Sequence, residues 1–582
     1  LNDGDGASSR NRRLIPAGLV FFGILYLLYI ADGTFRTQGR LVGTLFDDAL
    51  ISMRYAQHLV GGHGLVWNIG ERPPIEGYTN LGWTLVMALV AAAFPYDAAP
   101  IGVSLVGAAI LLLSGVVAYA LLFEVGASRR AAIAGMLLVL AAYPTVFWTL
   151  RGMEVGALAL LLLIAFRLAL VQHDHQQQFG RLVLIGIVAG LALLTRNDAV
   201  LMFLPVFTYA AWQHGHLLSS ALAALPVVAC AGAQVLFRYA YYGELTPNTY
   251  VLKMTGAAVS TRITAGAVSL IDTFPLIAPA VVVIATVAFA VRVPRLIRDC
   301  SRLALATLVL QWAYLVWIGG DAWLINYSNR FIAAVLPVLL VSAMAATPAC
   351  LDVLRQSKRG ALWFLAVSLL LLAALGIHHP HTFASGPQWL LLAGWLLLPG
   401  IALAARSSAL QDALLPDRVI GAAALALFLV SSAHGWLGWT LYRPPKAPDD
   451  IAFARLGIML RETMPVDAVI AAGWVGAPAY YSRLPAVDLL GKTDAHVARV
   501  PASGVFRPGH DKMDLAYSIG QLRPDVVVLD DAVMATYGYL RLPNGLWVRG
   551  DSSARHDTAL GASWCTSQSQ SVYCPNTPIA TP

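Results

Sequence analysis

Two adjacent carboxylates, Asp47 and Asp48, open the segment FDDALISMRYAQHLV. From Asp48 onward, Leu50, Met53, Ala56, Leu59 and Val60 recur at helical spacing and Gly61–Gly62 ends the run. That pattern predicts an amphipathic helix lying along a membrane surface. A carboxylate in a first helical turn is kept ionised by the helix dipole. One of the pair can act as an N-cap, but a helix needs only one cap. The other chemistry open to them is removal of a proton from an acceptor hydroxyl by one, while its neighbour orients that hydroxyl or helps hold a divalent cation. Side chains one residue apart on a helix point about 100° apart, so the two are expected to do different jobs. Glu76, in the turn IEGYTN, either approaches the same place from the far end of the loop or pairs with Arg72 or Arg54.

Further along stand ionisable residues at the ends of apolar stretches: Glu154, Arg196, Asp198, Lys253, Asp321 and Arg330. Fixed cations there would stabilise a departing phosphate, and Arg196, Lys253 and Arg330 are the candidates. Each also has a structural reading: Arg196 with Asp198 or Glu154, Lys253 with lipid headgroups, Arg330 with Asp321. His510 and Lys512 lie in a glycine-preceded polar loop that either reaches the same face or is simply solvated.

Composition says what must position these groups. The chain has 582 residues, 58% hydrophobic and only 12% charged, against about a quarter charged in soluble proteins. A formal net charge of +7 comes from short Arg and Lys clusters between apolar runs; this is the pattern of cytoplasmic loops and not a nucleic-acid footprint. Apolar runs of near-spanning length, from 14–32 to 418–440 and including 155–171, 199–213, 361–377 and 388–405, predict about 11–13 transmembrane helices. The first run follows Arg10, Arg12 and Arg13 and is expected to be a retained helix.

The apolar segment 81–95, bounded by Pro95 and Pro100, decides the orientation of everything after it. If it does not cross, Arg129–Arg130, Arg167 with Arg181, and the clusters 292–302, 355–359 and 406–418 share the cytoplasmic side with the basic N-terminus. A re-entrant or juxtamembrane helix is therefore expected at 81–95. The ionisable residues named above then gather on the extracytoplasmic face, where their expense marks a site.

Residues 1–440 thus form a helical membrane domain with a first extracytoplasmic loop at 33–98. After the proline-rich linker near Arg443, residues 441–582 are expected to form a small extracytoplasmic α/β domain, with a helix at 451–462 and buried strands in AVIAAG and PDVVVLDD. Cys230, Cys300 and Cys350 fall in or beside apolar stretches and read as packing residues. Cys565 and Cys574 flank a polar loop, and a disulfide is expected if that segment lies outside the cytoplasm. The HHPH cluster at 378–381 has no carboxylate or cysteine at ligand spacing and reads as an incidental loop. No phosphate-cradling strand–loop–helix motif is present, so a nucleotide site is not expected.

The DD pair followed by RYA, GHGLVWN, GER and EGYTN resembles the first loop of the terminal arabinofuranosyltransferases of actinobacterial cell walls and their broader bacterial relatives. The likeness continues in order through GMEV (152–155), TRND (195–198), YYGELTPNTYVLK (241–253), GGDAW (319–323) with Arg330, DLLGKTDAH (488–496) and GHDK (509–512). TRND departs from the family's commoner RPE or RPD, with Asn197 in place of proline. The resemblance implies a GT-C fold and a polyprenyl-phosphate sugar as donor, D-arabinofuranose on decaprenyl phosphate in the best-known members. It matches Asp47 and Asp48 to the loop aspartates central to catalysis. Taken with the reading of the residues themselves, it gives Arg54, Glu76, Glu154, Arg196, Asp198, Lys253, Asp321, Arg330, His510 and Lys512 as the set expected to bind donor phosphate or sugar.

The expected protein is a bacterial cytoplasmic-membrane glycosyltransferase whose partners are membrane lipids, a polyprenyl-phosphate sugar and a glycan, lipid or protein acceptor. No cofactor is required by this reading, beyond a divalent cation if one is used. A flippase of lipid-linked sugars would share the apolar bulk, but would more naturally show paired inverted repeats than a large acidic first loop. A non-enzymatic scaffold gives no reason for ionisable residues to gather on one face.

Overall fold

The computed structural model describes residues 4–171, 175–323, 329–359, 361–368, 393–397, 400, 416–442, 447–552 and 560. The Cys565 and Cys574 pair, the histidines at 378–381 and most of the expected spans 361–377 and 388–405 lie outside these residues. The described chain is a polytopic helical body carrying a small sheet domain at its C-terminal end, as the sequence predicts.

The chain enters through α1 (Gly4–Asp32), turns through the hairpin β1 (Thr34–Thr37) and β2 (Arg40–Gly43), and forms α2 (Asp47–Val60) and α3 (Leu81–Ala93). The remaining helices of the body are α4 (Ala99–Glu124), α5 (Arg129–Ala141), α6 (Tyr143–Leu150), α7 (Val155–Leu170), α8 (His175–Thr195), α9 (Ala199–His214), α10 (Leu217–Tyr242), the short α11 (Asn248–Met254), α12 (Val259–Ala288), α13 (Arg295–Trp317) and α14 (Arg330–Gln356). A last hydrophobic stretch covers Arg418–Leu441. Among the described residues eight helices are long and apolar enough to cross a membrane, or nine if α5 and α6, bent by 44°, count as one span. The excess of about 11–13 expected spans has two sources: two of them fall largely outside the described residues, and α7 and α9 have 16 residues each, short of the roughly 20 that a perpendicular crossing needs. α14 is the hub of the body, buried along nearly its whole length against α5, α7, α12 and α13.

α3 has 13 residues, about 20 Å of helix against a hydrocarbon core of about 30 Å. That is shorter than a perpendicular crossing needs, as a re-entrant or juxtamembrane helix at 81–95 would be. α2 corrects the sequence reading. It does not lie on a surface with a solvated face: ten of its residues are buried, including Asp47, Ser52 and Arg54, because α3 packs on one side and helix Gly476–Ser482 of the C-terminal domain on the other. Its N-cap is Phe46, with no side-chain cap bond, so neither aspartate serves as the cap.

The C-terminal domain starts with helix Ala447–Thr463 and builds a five-stranded sheet in the order β4 (Ala486–Asp488), β3 (Ile470–Ala472), β5 (Val526–Val528), β7 (Trp547–Arg549), β6 (Tyr539–Arg541). β3 runs parallel to β4 and β5, Ala472 standing opposite Asp488 and Val528; β7 is antiparallel to β5 and to β6. β3 and β5 are the strands expected in AVIAAG and PDVVVLDD, and all three residues of each are buried. Loops leaving the carboxyl ends of parallel strands are favoured places for ligand sites. Here those after β3 and β4 face the first loop of the membrane body.

Docking of the two parts explains much of the first-loop motif. Asn68 Oδ1 accepts from Ala486 N (2.9 Å) while Asn68 Nδ2 and Trp67 Nε1 donate to Ala486 O (3.1 and 2.8 Å), so GHGLVWN grips the edge of β4. Arg461 donates to Asp97 Oδ1 at 2.9 Å, and Arg151 forms a buried ion pair with Asp450.

Candidate active site

A pocket of about 710 Å³, open mouth included, lies where α2, the 77–80 turn, α11, the start of α14 and two C-terminal loops meet. Its central group is Asp48. Asp48 Oδ2 accepts from Arg330 Nη1 at 2.8 Å and Oδ1 accepts from Lys492 Nζ at 2.7 Å. Burial alone would raise the Asp48 carboxyl, but Lys492 and Arg330 outweigh it and hold the group well below the usual carboxylate range. Each carboxylate oxygen keeps a second lone pair for a substrate donor.

Asp47 does something else. Its Oδ1 accepts from Ala477 N at 2.8 Å, at the start of helix Gly476–Ser482, and a Cβ on Gly476 would collide with the Asp47 carbonyl. Burial pushes its carboxyl up to about 6, against the opposing pull of Lys492 and the Ala477 bond. It is a joint between α2 and the C-terminal domain, away from the pocket lining. The roughly 100° between neighbouring helical side chains thus separates the two aspartates as expected.

Arg330 is oriented by Asp321: Arg330 Nη2 donates to Oδ1 at 2.9 Å and Arg330 Nε to Oδ2 at 3.2 Å, and Asp321 also accepts from the Arg330 and Trp323 backbone. Asp321 therefore faces Arg330, not the pocket. A second network runs from Ser52 Oγ to Asn80 Oδ1 (2.9 Å), from Asn80 Nδ2 to Glu154 Oε2 (3.0 Å), from Arg196 Nη1 to Glu154 Oε1 (3.2 Å) and from Arg196 Nε to Asp198 Oδ1 (2.7 Å). Arg196 also lies over the Phe331 ring at 4.2 Å. Lys253 lines the pocket with no ion pair or hydrogen bond among the described residues. Burial, with Arg330 and Arg196 nearby, lowers its ammonium to about 8.

Three residues expected at the site belong elsewhere. Arg54 spends its donors on the carbonyls of Trp67, Ala479 and Leu484 and on Asn68 Oδ1, tying α2 to the C-terminal domain. Glu76 is held by Arg238 in a buried bidentate pair. Lys512 is buried and donates to Thr255 Oγ1 (2.9 Å) and Ala498 O (2.6 Å). Glu76 is neutralised by Arg238, and Arg54 and Lys512 have their donors taken up by uncharged oxygens, pairings that a linear sequence does not reveal. His510, by contrast, lines the pocket.

Lys492 and Asn80 join the site without being marked by the sequence reading above. Lys492 is carried on a tight turn after β4, where Asp488 Oδ1 accepts from Leu490 N and Oδ2 from Thr493 N (2.9 and 2.8 Å). Gly491 has φ +77° there, and a Cβ would lie 2.8 Å from Ala498 N. From the membrane body, Asn248 Nδ2 donates to the carbonyls of Gly491, Lys492 and Asp494. A Gly–Lys step just past a buried strand was the available signal.

A second cavity of about 1150 Å³ adjoins the first and is walled by apolar residues including Val200, Leu201, Leu245, Tyr314 and Ile318. Arg196, Lys253, Thr249, Thr79 and Phe331 line both. An amphiphile with an anionic head would meet the cations at this junction with its tail in the apolar cavity. Among the described residues no three His, Cys, Asp or Glu side chains converge as a metal-ligand set.

The chain resembles known proteins as follows. Residues 445–573 match a family model described as a domain of unknown function (DUF8728). The terminal β-(1→2)-arabinofuranosyltransferase of Mycobacterium tuberculosis is 29% identical over 228 residues, 36% of this chain. The chain spans about a third (34%) of the length of that curated relative. The resemblance read from the motifs is thus found again in direct alignment. Among solved structures, ArnT from Cupriavidus metallidurans bound to undecaprenyl phosphate is similar over 83% of this chain and 89% of its own, at 17% identity and TM-score 0.47. The oligosaccharyltransferase AglB from Archaeoglobus fulgidus, in complex with an inhibitory peptide and a dolichol-phosphate, is similar over 90% and 71%, at 12% identity and TM-score 0.44.

Proposed function

We propose that this chain is a GT-C-type membrane glycosyltransferase that moves a sugar, D-arabinofuranose, from a polyprenyl-phosphate donor to a hydroxyl of an extracytoplasmic glycan, lipid or protein. The observation that carries the reading is Asp48, held between Arg330 and Lys492 in a polar pocket whose inner wall, Arg196 and Lys253, opens into an apolar cavity. The lipid chain occupies the apolar cavity and the donor phosphate meets Arg196 and Lys253. The acceptor oxygen attacks the anomeric carbon as the bond from that carbon to the phosphate oxygen breaks. Asp48, kept ionised by its two ion pairs, orients the acceptor hydroxyl; the same ion pairs make it a weak base, so it takes the proton only as the new bond to the anomeric carbon forms and the attacking oxygen becomes strongly acidic. Polyprenyl phosphate leaves with one more negative charge, and fixed cations stabilise it without reorganising. The choice of arabinofuranose follows the mycobacterial relative, a terminal arabinofuranosyltransferase, and the site is assigned to the extracytoplasmic face of a bacterial cytoplasmic membrane on the charge pattern of the loops.

The test is mass analysis of extracytoplasmic glycans, lipids and proteins from a strain lacking the chain. A pentose missing from one product, restored by the wild-type chain and not by Asp48→Asn, is the expected result. An unchanged profile in the deleted strain defeats the proposal.

A further inference from the structure

The C-terminal domain contributes more to the pocket than Lys492. His510 N donates to Arg507 O at 2.9 Å, which fixes the loop, and the imidazole Nδ1 lies 3.1 Å from Pro508 O. A carbonyl can only accept, so Nδ1 carries the proton and Nε2 presents a lone pair. The Trp323 ring meets the imidazole at right angles, centroids 5.1 Å apart, and fixes its orientation. Nε2 is buried and has no hydrogen-bond partner among the described residues, although His510 lines the pocket. Buried polar atoms are rarely left without partners, and an exception calls for a ligand or a role.

The charges facing the ring are Lys492, Asp48 and Arg507; burial and Lys492 lower the imidazole to about 3, so the ring is neutral, and with the proton on Nδ1 its Nε2 can only accept. A lone pair repels a phosphate oxygen and attracts an O–H. The pocket residues nearest to the anion-binding role, Arg196 and Lys253, belong to the membrane body. The neutral acceptor belongs to the C-terminal domain.

Resting on the glycosyltransferase reading, we propose that the C-terminal domain is a working part of the substrate site, in which His510 Nε2 accepts a hydrogen bond from a sugar hydroxyl held in the pocket. That hydroxyl belongs either to the donor sugar or to the acceptor, and the two are separable. The full chain in nanodiscs is titrated with decaprenyl phosphate and with decaprenyl-phosphoryl arabinofuranose, and its transfer KM for acceptor is measured, as wild type, His510→Ala and His510→Asn. If the donor sugar is the source, His510→Ala weakens the sugar-bearing donor about tenfold and leaves decaprenyl phosphate unchanged. If the acceptor is the source, donor binding is unchanged and acceptor KM rises about tenfold. In either case His510→Asn, which restores an accepting oxygen, recovers part of the loss. Unchanged constants in His510→Ala, or equal weakening of decaprenyl phosphate, overturn the inference while leaving the glycosyltransferase reading intact. A wild-type chain that binds no sugar-bearing donor and transfers nothing removes that reading and this inference with it.

Discussion

Asp48 and Lys492 are 444 positions apart in the chain and 2.7 Å apart in space. The ion pair joins the first loop of the membrane body to the turn after β4, so the site is complete only when the C-terminal domain is docked. Lys492→Met removes one of the two cations on Asp48 and leaves Arg330 in place. Transfer is expected to fall about 10²- to 10³-fold, the usual loss when a preorganised electrostatic partner is deleted. Donor binding, which this reading assigns to Arg196 and Lys253, is expected to change little. Single-turnover transfer alongside donor titration separates the two.

Asp47 and Asp48 are expected to respond oppositely to neutralisation. Burial raises the Asp47 carboxyl from 3.8 to about 6, so its stabilising contribution is complete below about pH 4 and is lost as pH rises through about 6. That difference corresponds to about 3 kcal/mol at pH 7. Asp47→Asn keeps an oxygen for Ala477 N and removes the ionisation. The variant is expected to unfold at a higher temperature than wild type at pH 7.5, by a margin that shrinks towards pH 5, and to keep most of its transfer activity. Asp48→Asn is expected to abolish transfer. Thermal unfolding across pH, paired with activity, reads both; an inactive, destabilised Asp47→Asn would contradict the division of labour.

How far the sequence reached is clear from these same residues. The helix opened by the DD pair, its stop at Gly61–Gly62 and the helix within 81–95 depend on local periodicity and length, and the structure has helices at Asp47–Val60, capped by Gly61, and at Leu81–Ala93. Which aspartate faces the pocket depends on where helix Gly476–Ser482 docks, more than 400 positions later, and no local pattern encodes that. Arg54, Glu76 and Lys512 are expected at the site as charged members of the first-loop and GHDK motifs. Burial satisfied them with carbonyls or with Arg238 instead of exposing them to a ligand. Lys492 is hidden for the converse reason: in a linear reading it is one lysine in a polar turn.

Lys253 gives a pH signature. Burial and its cationic neighbours lower it to about 8, so an increasing share is neutral above that pH. Affinity for a polyprenyl phosphate is expected to fall as pH rises through about 8. Lys253→Met is expected to weaken donor binding about tenfold or more at pH 7 and flatten that fall. Lys253→Arg, charged throughout, is expected to retain binding and lose the pH dependence. Donor titrations between about pH 6.5 and about pH 9.5 decide it; an identical pH profile in Lys253→Met would show that this lysine does not meet the phosphate.

Gly491 offers a way to move Lys492 without altering it. Its φ of +77° and the 2.8 Å approach of a would-be Cβ to Ala498 N leave no room for alanine in the present turn. The left-handed backbone alone costs a non-glycine residue about 1–2 kcal/mol. The turn cannot simply relax, because Asp488 binds its backbone from within and Asn248 holds three of its carbonyls from the membrane body. Gly491→Ala is therefore expected to shift the lysine away from Asp48 and reduce transfer towards the level of Lys492→Met, with donor binding retained. Because both changes act on one ion pair, the double variant Gly491→Ala/Lys492→Met is expected to be little worse in transfer than Lys492→Met alone. Additive losses in that cycle would mean that the turn serves the site through something other than its lysine.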